Sequence, residues 1–184
     1  MKNKTFIDPN KLYHVSENVS ISIFEPRPSP SFFKNLNDPV VFAITGKLLH
    51  HYLLPRDCPR VCFYAGNKTT EQDRQKFLGD DNHDFVVNVE EKWITKIKET
   101  PIFCYELPSQ TFTLLDECAG YYVSHEAVKP ISVERINNPL KIFSQLKHVE
   151  LRTMPNLLNI AAEITQSTLH FSLIRMRNAQ PNIL

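Results

Sequence analysis

The chain contains very little glycine and much proline, and this restricts the folds that are open to it. Among 184 residues there are 4 glycines and 13 prolines. Gly46, Gly66, Gly79 and Gly120 are isolated, so neither glycine-rich phosphate loop, GxGxxG or GxxxxGK[ST], occurs. The sequence therefore argues against a P-loop NTPase and a typical dinucleotide-binding Rossmann domain. Its turns must be made by Pro, Asn and Asp instead.

The overall charge gives no indication of a polyanionic partner. Lys and Arg number 21 against 20 for Asp and Glu, so the formal net charge is +1. This balance gives no general argument for nucleic acid or an anionic membrane as partner. No apolar run reaches the roughly 20 residues that a membrane-spanning helix needs, so we also expect no membrane span.

The first residues and the cysteines suggest a compartment. Residues 1–9 are polar and lack the apolar stretch of a secretory signal. The four cysteines of such a chain are expected to be reduced thiols. Because 184 residues suit a single hydrophobic core, we predict one domain over residues 1–184. We expect it to be cytoplasmic and to hold no tightly bound cofactor.

Short apolar or alternating runs predict strands along most of the chain. In one of them, Val19, Ile21 and Ile23 alternate with polar residues, which is typical of a half-buried strand. The predicted strands are residues 12–15, 19–24, 40–44, 60–65, 85–89, 101–107, 111–115, 121–124, 128–136 and 149–154.

Helical periodicity predicts short helices between these strands and one long helix near the end. The short ones cover residues 45–52 (with Thr45 as N-cap), 69–79, 90–100 and 140–146. From residue 155 to Met176, apolar residues recur at helical spacing, which predicts the longest helix, with a potential break near Thr168. Successive short strands favour antiparallel sheets over repeated βαβ units. We therefore predict an α+β fold of two small, mostly antiparallel sheets with peripheral helices.

The first candidate site lies at the end of the first predicted strand. There His14 and Ser16 precede a proline-rich loop that carries Glu25 and Arg27. One interpretation is that His14 contacts a ligand, with Ser16 as a second donor or acceptor. The other is that His14 tethers the strand by a hydrogen bond.

Arg27, Arg56 and Arg60 form a second candidate site, since all three lie in or beside rigid proline loops. Such loops lower the entropic cost of presenting a guanidinium group to phosphate or carboxylate. The alternative is that these arginines pair with Glu25 and Asp57 and fasten the loops.

Two further pairs of charged residues have simple structural interpretations. Arg175 and Arg177 are expected to satisfy carbonyl groups at the end of the last helix. Asp116 and Glu117 fit a solvated turn between strands, and the alternative is a general base with a raised pKa.

A third hypothesis is a zinc site that stabilises the domain. Cys58 and Cys62, with His50 and His51 upstream, supply ligand types that zinc prefers. Their spacing is not the usual CxxC, and Cys62 falls in a predicted buried strand. Buried neutral thiols are inert, so the cysteines are expected to be core residues.

Several segments together resemble an uncharacterised bacterial protein family over nearly the whole chain. They are residues 12–16, 23–27, 55–61, 119–124 and 177–181. Because that family has no established activity, the resemblance implies a shared fold and little about function.

The order of elements is also similar to the ADP-ribosyltransferase fold, including its rifampin-modifying and RNA 2′-phosphotransferase relatives. In that fold the first strand ends in Tyr-His-x-Thr/Ser, residues that hold the ribose and nicotinamide of NAD. Tyr13, His14 and Ser16 match this motif. Residues 40–44 and the helix to Tyr52 loosely match the next motif, whose aromatic ring stacks on nicotinamide.

The final motif of that fold departs from the family pattern. Residues 120–123 and 128–131 have its shape, but the position of the catalytic glutamate falls on Gly120. The nearest carboxylates are those of Asp116 and Glu117. Glutamate-dependent transfer is thereby disfavoured relative to phosphotransferase-like chemistry or plain nucleotide binding.

The resemblance implies an NAD- or nucleotide-binding transferase, with NAD as a candidate substrate. The competing hypothesis is a non-catalytic binding or interaction module that retains the fold. In the first hypothesis His14 and Ser16 orient the ribose, Arg27, Arg56 and Arg60 meet the diphosphate, Tyr52 or Tyr121 stacks on the base, and Glu117 is a weak candidate base.

Overall fold

Two β-sheets, with few and short helices, carry the fold, which is therefore α+β as predicted. The computed structural model describes residues 7–29, 33, 36–79 and 83–181. In chain order the strands are β1 Leu12–Ser16, β2 Val41–Thr45, β3 Arg60–Tyr64, β4 Phe85–Glu90, β5 Ile102–Leu107, β6 Thr113–Asp116, β7 Tyr121–Ser124, β8 Ser132–Ile136, β9 Val149–Met154 and β10 His170–Ile174. The α-helices are α1 Glu71–Phe77, α2 Ile94–Glu99, α3 Pro139–Phe143 and α4 Leu158–Ile164, and 3-10 turns span Gly46–His51, Glu91–Trp93 and Met176–Asn178.

The chain forms two compact units. The first consists of the described parts of Met1–Leu53 and Ile102–Ile136, and the second of the described parts of Leu54–Pro101 and Asn137–Leu184. The single domain expected from the sequence stays a prediction, because two compact units can belong to one domain or to two. Among the described residues, no helix combines the length and the apolar composition needed to cross a bilayer.

The first unit contains a six-stranded, fully antiparallel sheet in the order β6-β7-β2-β1-β5-β8. β1 pairs with β5 over all five of its residues, from Leu12 opposite Leu107 to Ser16 opposite Phe103. One face of this sheet carries a core cluster formed by Leu12, Phe24, Val41, Ala43, Phe103, Tyr105, Leu107 and Val128.

The second unit contains a four-stranded sheet in the order β10-β3-β4-β9, in which only the β4–β9 pair is parallel. β3 and β4 are buried along their whole length, which explains their nearly continuous apolar sequences. Helices α1 and α4 contribute to the core cluster of Val61, Phe63, Phe77, Leu78, Val86, Leu157, Ala161, Ile164 and Leu169. Burying one such large side chain stabilises the fold by about 1.5–3 kcal/mol.

The strand predicted at residues 19–24 is wrong. Val19 is 60% exposed, and the segment forms a loop that touches the sheet through an isolated bridge between Phe24 and Val128. The hydroxyl of Tyr105 donates to the Asn18 carbonyl (2.7 Å) and accepts from the Ile21 N–H (3.3 Å). These bonds, together with the Asn18 side chain that bonds locally, compete with strand pairing.

The long helix predicted from residue 155 to Met176 is also wrong. The helix ends at Ile164, and residues 170–174 form β10, which pairs with β3. The hydroxyls of Thr165 and Ser167 donate to carbonyls within the last turn, at 2.7 and 2.8 Å. Pairing with a buried strand outweighs the helical spacing of the apolar residues, a competition that periodicity alone does not show.

Smaller differences affect two other elements. The helix predicted for residues 45–52 is a 3-10 turn over Gly46–His51, and the Thr45 hydroxyl donates to the Pro9 carbonyl (3.1 Å) instead of capping it. The strand predicted for residues 128–136 begins at Ser132, since Val128 makes only the isolated bridge.

Asp73 links α1 to the turn before β10. Its Oδ2 accepts hydrogen bonds from the backbone N–H and the hydroxyl of Thr168, at 2.8 and 2.6 Å. The Thr70 hydroxyl caps the same helix by accepting from the Asp73 N–H (3.2 Å). The bonds from Thr168 hold the pKa of the Asp73 carboxyl below its ordinary value of 3.8.

We predict that Asp73→Ala lowers the melting temperature at pH 7, and that this loss disappears in acid. The native pKa lies below the unfolded value, so the contribution is present above pH 3.8 and is lost as pH falls through the native pKa. Melting curves from pH 7 to pH 3 measure the effect, with Glu71→Ala in the same first helical turn as control. A loss that stays constant over this pH range would contradict the assignment.

Candidate functional site

His14 joins β1 to β2 through its side chain. The imidazole Nδ1 lies 2.9 Å from the Phe42 carbonyl oxygen. A carbonyl only accepts, so Nδ1 carries the hydrogen, and in the neutral ring Nε2 carries the lone pair. The β1–β2 ladder pairs Leu12 with Thr45 and Tyr13 with Ile44. The hydrogen bond from the His14 imidazole to Phe42 links the two strands one residue beyond the end of this ladder on β1.

The His14 ring also packs under the loop that follows β1. Its centroid lies 4.7 Å from that of Phe24, and Phe24 makes an edge contact with Tyr105 at 5.3 Å. The same Tyr105 hydroxyl bonds the Asn18 and Ile21 backbone, so the loop is fastened over this face. The tether interpretation of His14 thus has direct support from its contacts.

The two neighbours of His14 in the predicted motif make local contacts. Tyr13 is buried, and its hydroxyl accepts from the Asp8 N–H at 2.9 Å. Burial raises the pKa of the Tyr13 phenol. The Ser16 hydroxyl accepts from the Asn18 N–H at 3.1 Å. The ligand-binding roles of both residues stay predictions.

Four half-buried rings form what we call the aromatic cluster: Phe33, Phe42, Tyr52 and Tyr121. The Phe42 and Tyr121 centroids lie 5.8 Å apart, and Phe33 lies 6.0 Å from Phe42 and 6.1 Å from Tyr121. Tyr52 lies 5.9 Å from Tyr121, and its hydroxyl donates to that of Tyr121. The structure therefore brings together both tyrosines that were predicted to stack on a base.

Strand register places this cluster and the imidazole on opposite faces of the first sheet. Tyr121 lies opposite Ile44, which lies opposite Tyr13, so these three side chains share one face. His14 follows Tyr13 and points to the other face. Phe42 connects the two sides, because its ring belongs to the cluster and its carbonyl accepts the hydrogen bond from His14.

Arg27 and Glu117 occupy exposed positions in the first unit. The backbone of Arg27 exchanges two hydrogen bonds with Val40, at 3.0 and 2.9 Å, and its side chain forms no ion pair with any described residue. Glu117 lies in the turn between β6 and β7, where the neighbouring Asp116 carboxylate accepts from the Ala119 N–H at 3.0 Å. The turn interpretation of this acidic pair agrees with these contacts, and the catalytic roles of His14 and Glu117 stay predictions.

Gly120 cannot be replaced by a residue with a side chain without strain. Its φ is +68°, and an added Cβ would lie 2.8 Å from Thr45 Cγ2 and 3.0 Å from Leu48 Cδ1. Its carbonyl accepts the Thr45 N–H at 3.0 Å, which fixes the backbone in place. Any side chain at this position therefore strains the backbone and requires Thr45 or Leu48 to move.

Arg56 and Arg60 lie in the second unit, Arg56 on the loop bounded by Pro55 and Pro59 and Arg60 at the start of β3. Arg60 is 3% exposed, and its Nη1 donates to the carbonyls of Pro55 (3.3 Å) and Cys58 (2.9 Å). Arg60 thus shapes the loop, whereas Arg56 is exposed. Neither arginine belongs to the first unit, which carries His14, Arg27 and the aromatic cluster.

Arg175 and Asn178, which follow strand β10, contact this loop. The Arg175 Nε donates to the Arg56 carbonyl (3.2 Å), and the Asn178 amide donates to the Asp57 carbonyl (2.7 Å). The expectation that Arg175 satisfies carbonyls at a helix end is wrong, because Arg175 follows strand β10. Asn178 was not among the predicted site residues, and no local pattern indicated its contact, because its partner lies 121 positions earlier.

Cys58, Cys62 and Cys104 are buried, whereas Cys118 is exposed, so the expectation that Cys118 is a core residue is wrong. Burial raises the pKa of Cys58 and Cys62 to about 12, against a smaller opposing effect of Arg60. Both thiols are therefore neutral at pH 7 and poor ligands or nucleophiles. Within the described ranges, no three His, Cys, Asp or Glu side chains are grouped so that they could hold a metal ion.

We predict that Gly120→Ala destabilises the protein more than Gly79→Ala does. Gly79 has a similar φ of +69° but open space around it, so its substitution costs only the backbone term, about 1–2 kcal/mol. Gly120→Ala adds the collision with Thr45 and Leu48, about 1–3 kcal/mol more. Urea unfolding of the two variants and of the wild type measures both losses. Equal losses would show that the space around Gly120 is not restrictive.

Comparison with known proteins places the chain in a family. Neither curated proteins nor solved structures gave a match, so likeness to the ADP-ribosyltransferase fold and a bacterial origin stay predictions. A family model described as "Family of unknown function (DUF6886)" matches residues 13–179. This range covers nearly the whole chain and confirms the resemblance to an uncharacterised family. The chain therefore belongs to the family of unknown function DUF6886.

Proposed function

We propose that the first unit is a nucleotide-binding module of ADP-ribosyltransferase-like type that stacks a base or nicotinamide ring on the aromatic cluster. The observation that carries the proposal is the cluster itself: four half-buried rings, each with its centroid 5.8 to 6.1 Å from that of Tyr121 or, for Tyr121, from those of the other three. Stacking of a base on an aromatic side chain contributes about 1–3 kcal/mol. NAD, ADP-ribose and simple nucleotides all carry such a ring.

In this proposal His14 is a positioning residue. Its hydrogen bond to the Phe42 carbonyl fixes β2, and β2 pairs with β7, which carries Tyr121. Arg27 supports the ligand class, because its exposed guanidinium stands on a segment bridged to Val40, next to the start of β2. A guanidinium fork there suits the phosphate groups of a nucleotide.

The proposal does not include transfer of the glutamate-dependent kind. Gly120 occupies the position that the glutamate would need, and its backbone and surroundings exclude a side chain. Binding alone therefore accounts for the residues present, and Glu117 is not required.

A second candidate is an interaction module that binds a protein segment along β8. This strand is an edge of the first sheet, and four of its five residues are exposed. Val133 on it is 47% exposed, and Ile131 just before it is 62% exposed. An exposed edge strand offers backbone groups to which an extended peptide adds as a further strand.

We predict that NAD, ADP-ribose or a simple nucleotide raises the melting temperature, and that Tyr121→Leu abolishes this shift. A ligand at about 100 times its dissociation constant stabilises the native state by about 2.7 kcal/mol. Tyr122→Leu is the matched control, because Tyr122 neighbours Tyr121 on β7, is equally half-buried, and points to the opposite face. His14→Ala is expected to weaken the shift through loss of its bond to β2.

Two results would contradict the nucleotide proposal. One is the absence of a shift with every nucleotide tested, which would favour the interaction module. The other is equal loss of the shift in Tyr121→Leu and Tyr122→Leu, which would place the ligand elsewhere.

A further inference from the structure

Two segments of the second unit, distant in sequence, are fixed against each other around a group of arginines. The loop of residues 55–59 accepts hydrogen bonds from Arg175 Nε (3.2 Å) and from the Asn178 amide (2.7 Å) through its carbonyls. Beyond Asn178, the Gln180 N–H donates to the Glu90 carboxylate at 2.7 Å, and Asn156 donates to the Gln180 carbonyl at 2.8 Å. These bonds fix the backbone of both segments, and with it the points from which their arginine side chains extend.

The backbone of Arg175 is unusual. Its φ is +55°, and no other non-glycine residue in the described part of the chain has a positive φ. This conformation ends β10 and starts the 3-10 turn Met176–Asn178, which brings Arg177 to an exposed position two residues later. Left-handed non-glycine residues are concentrated at functional sites.

Several charged groups act on the Arg175 guanidinium. Burial lowers the pKa of Arg175, and the positive charges of Arg177, Arg56 and, more weakly, Arg60 lower it further. Asp57 acts in the opposite direction. The nearby Glu90 carboxylate is already bonded to the Gln180 N–H and lies 3.1 Å from the Lys92 ammonium.

Donors for a ligand remain on two guanidinium groups. Arg175 uses Nε for its bond to the loop, which leaves both Nη groups of the fork. Arg177 is exposed and forms no ion pair with any residue that the structure describes. Arg60 is buried and uses its Nη1 within the loop, so it contributes charge rather than contacts.

We propose that Arg175 and Arg177, with the charge of Arg56 beside them, form a binding site for a small molecule that carries a diphosphate or a similarly dense anionic group. Guanidinium forks bind phosphate oxygens in pairs, and a group of like charges is relieved by a multivalent anion. The formal net charge of +1 gives the chain no general attraction for a polyanion, which favours a small ligand over a nucleic acid. The site stands on the second unit alone and does not depend on nucleotide binding by the first.

The test is calorimetric titration of the full chain with inorganic pyrophosphate at low ionic strength, with inorganic phosphate in a parallel arm. We expect pyrophosphate to bind more tightly than phosphate. Arg177→Gln should weaken pyrophosphate binding by about tenfold or more, because a charge-assisted bidentate contact is lost. Arg177→Lys should lie between the two, because it keeps the charge without the fork.

The control is Arg74→Gln, which removes an exposed arginine of helix α1 in the same unit and should leave binding unchanged. Tyr121→Leu should also leave pyrophosphate binding unchanged, so failure of the nucleotide proposal is distinguishable from failure of this one. Absence of pyrophosphate binding in the wild type would overturn the proposal. Equal weakening by Arg74→Gln and Arg177→Gln would do so too, since it would indicate unspecific charge attraction.

Discussion

The candidate site of the first unit depends on the hydrogen bond from the His14 imidazole to the Phe42 carbonyl. β1 is held on one side by a five-residue ladder with β5, but on the other side its ladder with β2 covers only two residues. The imidazole supplies the next connection. A hydrogen bond of this kind contributes about 0.5–1.5 kcal/mol, comparable to one further ladder bond. Through it, β2 and the aromatic ring of Phe42 are kept in register with the centre of the sheet.

The turn at Gly120 connects the 3-10 turn Gly46–His51 to strand β7 in the same unit. The left-handed glycine lets the chain enter β7 while its carbonyl accepts the Thr45 N–H, so the start of the 3-10 turn and the start of β7 are tied together. This arrangement presents Tyr52 and Tyr121 to each other, and it leaves no room for a side chain at position 120. The turn that forms the aromatic cluster thus requires a glycine at position 120.

The sequence predicted those elements whose signal is local. The buried runs of β3 and β4 were evident from apolar continuity, and helix α1 was evident from helical periodicity. The strand predicted at residues 121–124 agrees with β7. The loop at residues 19–24 was missed because Tyr105, far away in sequence, captures its backbone groups.

Features set by contacts between distant segments were not predictable. β10 was mistaken for helix because its partner β3 lies about one hundred residues earlier. The placement of His14 and Tyr121 on opposite faces required the strand order, which no local pattern contains. The arginine group of the second unit joins residues 119 positions apart, so its sequence signal was only a pair of arginines whose role was misread as helix capping.

The central claim, that the first unit binds a nucleotide on the aromatic cluster, is tested most directly by amide chemical-shift mapping. ¹⁵N-labelled protein would be titrated with ADP-ribose. The account predicts saturable shifts that are largest at Phe42, Tyr52 and Tyr121 and weak along β8. No saturable shift at these residues, or shifts concentrated elsewhere in the first unit, would contradict it.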